Sequence, residues 1–127
     1  MKTRDDIESY LLKMGVVHEE LGGDIWRLNE GEQENLMISL AGPIVVFRLK
    51  IMDVPAKQRE VLFETLLRLN TTDLFHCAFG IEANAIVLAG ALALENMDFN
   101  EFQAVIDEIG MAVSKQYPVL SKFRTAA

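Results

Sequence analysis

The sequence has few of the residues on which enzymes and metal proteins depend. Cys77 is the single cysteine among 127 residues, so neither an internal disulfide nor a thiolate metal cluster is expected. The two histidines, His18 and His76, lack zinc-site spacing, and no phosphate-binding Gly-Lys-Ser/Thr loop or Gly-x-Ser-x-Gly elbow is present. We therefore predict no catalytic residue, no metal site and no cofactor, and we expect Cys77 to be a small core residue.

The chain is also short of positive charge and of long apolar runs. Its 12 lysines and arginines stand against 19 acidic residues, a net charge of −7, which disfavours nucleic acid and anionic membranes as partners. The longest run without a polar side chain, residues 85–94, is too short to span a bilayer as a helix. Residues 1–14 carry three acidic side chains and no signal-like apolar run, so we expect a cytoplasmic protein.

Residues 85–94 are the centre of the predicted fold. They follow the alternating apolar residues of 75–82 across a turn at 83–84, which predicts a β-hairpin. One face of the second strand has large side chains beside Gly90, whereas the opposite face has small ones that allow another backbone or helix to approach closely. We expect this hairpin to be central in the sheet and covered on both sides.

The remaining periodicities predict three helices and three further strands in one domain, 1–127. In chain order these are a helix over 3–14, strands over 24–28, 35–40 and 44–52, and helices over 56–69 and 98–116. Thr3 and Gly15 cap the first helix, Pro118 ends the last, and His18 is assigned to a loop. The acidic segment 29–34 is a predicted turn. The fold class is α+β, with the order αβββαββα and a twisted antiparallel sheet packed by helices.

The second predicted helix has an apolar arc that is wider than one sheet face requires. Leu62, Leu66 and Leu69 lie on one line along the helix. Phe63 and Leu67 extend that line sideways. The helix is therefore either well buried in its own chain or shared between the core and a partner subunit.

With this element order and acidity, the chain resembles the type III secretion chaperone-like superfamily, including the Tir-chaperone and bacterial sensory transduction regulator types. The features that match are the helix to Met14, the strands from Ile25 to Ile51, the helix through Leu62-Leu66-Leu69-Asn70, the hairpin with Phe79 and 85–94, and the helix from Phe99. The resemblance implies a non-enzymatic cytoplasmic homodimer that holds an extended client segment against apolar grooves. It also implies a dimer contact around the second helix and the strands beside it.

From these observations we predict two protein-binding surfaces. The predicted dimer interface consists of Leu62, Phe63, Leu66, Leu69, Val87, Ala89, Ala91 and Ala93. The predicted client-binding residues, each of which could instead belong to the core, are Leu11, Met14, Trp26, Met37 and Val46. Two alternatives stay open: a regulatory scaffold that binds the folded domain of a signalling protein, and an enzyme, which would need a concave pocket with convergent polar groups.

Overall fold

The computed structural model describes residues 2–29 and 35–124, and over these residues the chain forms three helices and six strands. In order, they are α1 (Arg4–Met14), β1 (His18–Gly22), β2 (Ile25–Leu28), β3 (Met37–Ala41), β4 (Ile44–Asp53), α2 (Arg59–Thr72), β5 (Cys77–Glu82), β6 (Ala85–Ala93) and α3 (Phe99–Arg124). The α+β class and the antiparallel sheet packed by helices are confirmed. The structure adds β1 to the predicted order, and residues 30–34 of the predicted acidic turn lie outside the described residues.

Helix α1 has both of the predicted caps. The hydroxyl of Thr3 accepts a hydrogen bond from the Asp5 N–H at 3.2 Å, and the Asp6 carboxylate accepts one from the Thr3 N–H at 2.7 Å. Gly15 ends the helix with a left-handed φ of 72°, which places its N–H 3.1 Å from the carbonyl of Leu12. These short-range hydrogen bonds satisfy helix-end groups that would otherwise lack partners.

The strands form one antiparallel sheet in the order β1-β2-β3-β4-β6-β5. The predicted hairpin is present as β5 and β6, but its predicted central position is wrong. Because β6 rather than β5 pairs with β4, β5 becomes an edge strand, and β1 forms the other edge. β1 was missed because its side chains are mostly polar: Glu19, for example, pairs across the sheet with Arg27 of β2.

The core lies between the helices and one face of the sheet. The ring of Phe47 on β4 is 5.4 Å from that of Phe102 on α3, and the Tyr10 ring of α1 is 5.5 Å from the same phenylalanine. Leu62 and Leu66 of α2 belong to this same cluster. The prediction that the hairpin is covered on both sides is therefore wrong, because all three helices contribute to a core on one face.

Two helix boundaries differ from the prediction. Helix α2 begins at Arg59 rather than at residue 56, because the preceding Gln58 has a φ of 60°, outside the range of a right-handed helix. Helix α3 continues through Pro118 to Arg124. A proline inside a helix costs roughly 3 kcal/mol. Burial of Leu120 and Phe123 beyond it contributes about 1.5–3 kcal/mol for each side chain, which offsets that cost.

Candidate protein-binding surfaces

The face of the sheet opposite the core carries the predicted small-residue surface. Cross-strand pairs on this face join Val46 to both Ser39 and Ala91, and Arg48 to both Met37 and Ala89. Among the described residues, no helix packs over its centre, and Ala91 and Ala93 are exposed. We call this surface the open face and define it by Met37, Ser39, Ile44, Val46, Ala89, Ala91 and Ala93.

The open face is apolar at its centre and charged toward one end. Arg48 forms an ion pair with Glu82 of β5 at 3.3 Å, and Lys50 pairs with Asp53 at 2.7 Å. Because the alanine side chains of β6 are short, another backbone can come close to the sheet at this strand. Apolar side chains bordered by paired charges can exclude water from a contact with another protein.

The structure separates the predicted dimer residues into two groups. Leu62 and Leu66 are buried in the core cluster, and Val87 is buried at the charged end of the open face, opposite Lys50 and Gly80. These three side chains therefore keep little surface for the predicted subunit contact. Phe63 and Leu69 are half-buried. Ala89, Ala91 and Ala93 lie on the open face. The exposed apolar residues of α2 are Val61 and Leu67, on the side of the helix away from the core.

The predicted client-binding residues also fall into two groups, one buried and one accessible. Leu11 and Trp26 are fully buried, at 0% and 1% exposure, and belong to the core, which was the alternative open for each of them. Met14 is half-buried beside the core. Met37 and Val46 lie on the open face, so residues predicted for client binding and residues predicted for dimer formation share one surface.

The outer edge of β1 is a second exposed feature that the sequence reasoning missed. β1 stands at the end of the strand order, so no described strand pairs with its outer side. Beside it, Arg4 forms ion pairs with Glu20 of β1 and with Asp24, the latter at 2.8 Å, and its guanidinium lies 5.2 Å from the Trp26 ring. The hydrogen bond to Asp24 raises the pKa of Arg4. Arg4 thus connects α1 to this edge, and no strand in the described part of the chain covers its outer backbone groups.

The opposite edge, β5, is bound by side chains at two of its residues, Cys77 and Phe79. The carboxylate of Glu108 on α3 accepts hydrogen bonds from the N–H groups of Phe75, His76 and Cys77, at 3.1, 3.0 and 2.9 Å. The side chain of Asn70 on α2 forms hydrogen bonds with the backbone of Phe79, the next residue whose N–H and C=O point away from β6. The two edges of the sheet are therefore not equivalent.

Cys77 lies in the core, as predicted. Burial, and secondarily the nearby Glu108 carboxylate, raises the pKa of its thiol to about 12. A thiol with so high a pKa stays protonated near neutral pH and is a poor nucleophile.

The helix side of the molecule holds a cavity of about 390 Å³ between α2, α3 and the segment before β5. The sequence analysis did not find it, because Phe75 fits the apolar alternation of the predicted strand 75–82, whereas β5 begins only at Cys77. Glu108 and Asp73 line the cavity, but both carboxylates already accept hydrogen bonds from the chain itself. Within the described part of the chain, no three histidine, cysteine or acidic side chains are grouped as metal ligands. None of the described helices combines the length and apolarity needed to cross a membrane.

The family comparison covers almost the whole chain. The model of the family described as CesT_Tir_1 matches residues 1–126. No curated protein matches the sequence.

Solved structures share the fold at low sequence identity. YbjN of E. coli, a candidate transcription regulator, has a TM-score of 0.69 and 14% identity, over 93% of each chain. A chain of the heterodimeric ExoU–SpcU complex from the type III secretion system of Pseudomonas aeruginosa has a TM-score of 0.71 and 18% identity, over 88% of this chain and 95% of that one. A chain from the complex of the Yersinia pestis type III secretion chaperone SycH with a YscM2 fragment has a TM-score of 0.57 and 11% identity, over 98% and 100%. The chain thus has the secretion-chaperone fold.

Proposed function

Because the chain belongs to the CesT_Tir_1 family, we propose that it is a non-enzymatic homodimer that holds an extended segment of a client protein. The single observation that carries this proposal is the open face, an apolar sheet surface with no covering element among the described residues. Two of the similar folds come from protein complexes, ExoU–SpcU and SycH with a YscM2 fragment, which supports a protein as the ligand.

The β6 half of the open face is the better candidate for the dimer contact. A two-fold contact uses the same patch on both subunits, and a patch of short, uncharged side chains suits such self-association. Ala89, Ala91 and Ala93 provide that patch together with Val46, their neighbour on β4. Phe63 and Leu69 of α2 pack against the core on the helix side of the sheet, so they are not part of this proposed contact.

The β1–β3 side of the sheet is the better candidate for the client. An extended peptide can add to a free strand edge through backbone hydrogen bonds, while neighbouring apolar side chains supply specificity. The edge of β1 offers those bonds, and Met37 and Met14 are predicted client residues on this side that keep accessible surface. Val46, which also keeps accessible surface, lies in the patch assigned above to the dimer contact. The acidic character of the chain favours clients with basic segments.

The proposal is tested by capture from the source cytoplasm, followed by mapping of the captured protein. We expect near-stoichiometric recovery of one partner, an extended segment of which is protected from proteolysis and binds when isolated. Met37→Asp should abolish recovery, whereas Glu101→Gln, an exposed change on α3, should not. Failure to recover any partner, or equal recovery with Met37→Asp, would contradict the proposal.

The alternative is a regulatory scaffold that binds a folded domain of a signalling protein. The observation in its favour is the similarity to YbjN, which is described as a candidate transcription regulator. The same captured partner distinguishes the two functions. A regulator would need the folded domain of the partner, and would not bind the isolated segment.

A further inference from the structure

The cavity on the helix side has the size and lining of a specific binding pocket. We call it the helix pocket and define it by Leu69, Phe75, Phe79, Glu108, Met111 and Ala112. Its volume of about 390 Å³ lies in the range of ligand sites, roughly 300–1,000 Å³. Because its walls come from α2, α3 and the inner face of β5, it is separate from the open face on the other side of the sheet.

The walls of the helix pocket are held by hydrogen bonds between distant parts of the chain. Glu108 accepts three backbone N–H groups from the segment before β5, which fixes that segment against α3. At the other end, Asp73 accepts from the Gln116 side chain at 2.9 Å and pairs with Lys115 at 3.0 Å. A pocket held in this way needs little ordering when a ligand binds.

Two large apolar side chains stand exposed at the mouth of the pocket. Phe75 is 88% exposed and Met111 is 70% exposed, although both line the cavity. Exposed aromatic and methionine side chains beside a concave apolar surface are typical of protein contacts. The mouth therefore favours a ligand that continues beyond the cavity rather than a small molecule confined to it.

The charges around the pocket indicate the chemistry of that ligand. Asp73, Asp107 and Glu108 line it together with a single cation, Lys115. Lys115 is already paired with Asp73, whereas Asp107 is exposed on the surface. A second copy of this chain would bring the same excess of carboxylates to the contact, so the mouth favours a basic partner.

We propose that the helix pocket is a second docking site, which receives a large apolar side chain of a partner protein flanked by a lysine or arginine that pairs with Asp107. This inference rests on the proposed function only in that the chain binds proteins. It requires neither the open face nor the edge of β1. It thus names a contact that an extended client, or another protein, can make on the helix side of the molecule.

The test uses fluorescent peptides that contain a Leu-Phe pair flanked by lysines or, in a matched set, by glutamates. Anisotropy with the full-length protein should detect binding of the lysine-flanked peptide in preference to the glutamate-flanked one. Asp107→Lys should weaken binding of the lysine-flanked peptide by about 3- to 10-fold and strengthen binding of the other, since it replaces an exposed attraction with a repulsion. Glu95→Lys, an exposed change that does not line the pocket, should have a smaller effect.

A second variant tests the apolar part of the site. Met111→Ser should weaken both peptides, while Leu12→Ser, an equally exposed apolar change on α1, should leave them unaffected. The inference is overturned if the two peptides bind alike, if neither Asp107→Lys nor Met111→Ser changes binding, or if Met111→Ser alters self-association in sedimentation. Met37→Asp should abolish client capture without changing peptide binding, so the proposed function and this inference can fail separately.

Discussion

Asn70 binds the backbone of Phe79 with both groups of its side-chain amide. Its Oδ1 accepts the Phe79 N–H at 2.7 Å, and its Nδ2 donates to the Phe79 carbonyl at 3.1 Å. The side chain therefore occupies the two backbone groups that a neighbouring strand would otherwise bind at this position. A residue of α2 thus completes the hydrogen bonding of an edge strand.

We expect Asn70→Ala to lower the free energy of unfolding by about 1–3 kcal/mol, because it leaves both Phe79 groups without their partner. Chemical denaturation measures this change. Asn100→Ala, an exposed asparagine on α3, is the control and should be nearly neutral. Equal stability of the two variants would show that water replaces the amide without cost.

Gly90 of β6 and Gly80 of β5 lie on adjacent strands but differ in the space around them. A Cβ at Gly90 would lie 3.0 Å from both the Cys77 Sγ and the His76 carbonyl, whereas a Cβ at Gly80 would meet nothing within 4 Å. Gly90→Ala should therefore destabilise the protein by about 1–3 kcal/mol, as other forced core insertions do. Gly80→Ala should be neutral or slightly stabilising in the same thermal or chemical unfolding experiment. A similar result for both would contradict the close approach at Gly90.

Cys77 should make stability depend on pH above 9. Its thiol pKa is raised from 9.0 to about 12 in the folded chain, so only the unfolded chain releases the proton between these values. The stabilising contribution is thus fully present below pH 9 and is lost as the pH rises toward 12. The stability difference between the wild type and Cys77→Ala should be constant below pH 9 and should shift against the wild type above it. A difference that stays constant throughout would contradict the raised pKa.

Glutamate substitutions at positions 66 and 91 should have different effects. Leu66 is 5% exposed within the chain, so Leu66→Glu would bury a charge and should give an unfolded or insoluble protein. Ala91 lies exposed on the open face, so Ala91→Glu should fold normally but form a monomer. Sedimentation and circular dichroism measure the two effects, with Ala56→Glu as an exposed control that should remain a dimer. A wild-type protein that sediments as a monomer would contradict the dimer, and a dimeric Ala91→Glu would exclude the open face as its contact.

The parts of the fold that depend on neighbouring residues could be predicted from the sequence. The ends of α1 follow from Thr3, Asp6 and Gly15, whose hydrogen bonds reach only a few residues. The alternation from Ile44 onward likewise predicts β4, because Val45, Phe47 and Leu49 enter the core on alternate positions. β1 has no comparable pattern, since an edge strand whose side chains are mostly polar looks like a loop.

Features that depend on distant residues could not be predicted. β4 pairs with β6 rather than with β5. Both strands are apolar, and the residues of neither strand indicate which of them lies beside β4. The apolar line through Leu62 and Leu66 indicates that this side of α2 is buried. It does not indicate whether the residues that bury it belong to the same chain or to another. The helix pocket depends on Glu108 reaching residues 75–77, more than thirty positions away, as its contact with Phe75 illustrates.

The inequality of the two sheet edges limits how copies of this protein can join. An open-ended filament needs a heterologous contact, in which the edge of one molecule pairs with the opposite edge of the next. The side chains of Glu108 and Asn70 already bind the backbone of the β5 edge at Cys77 and Phe79, so the β1 edge of another copy cannot form a complete ladder of hydrogen bonds there. Two β1 edges can still pair isologously, but such a pair consumes both of them and growth stops there. Among the described residues, the occupied positions on β5 thus disfavour head-to-tail growth through the two sheet edges.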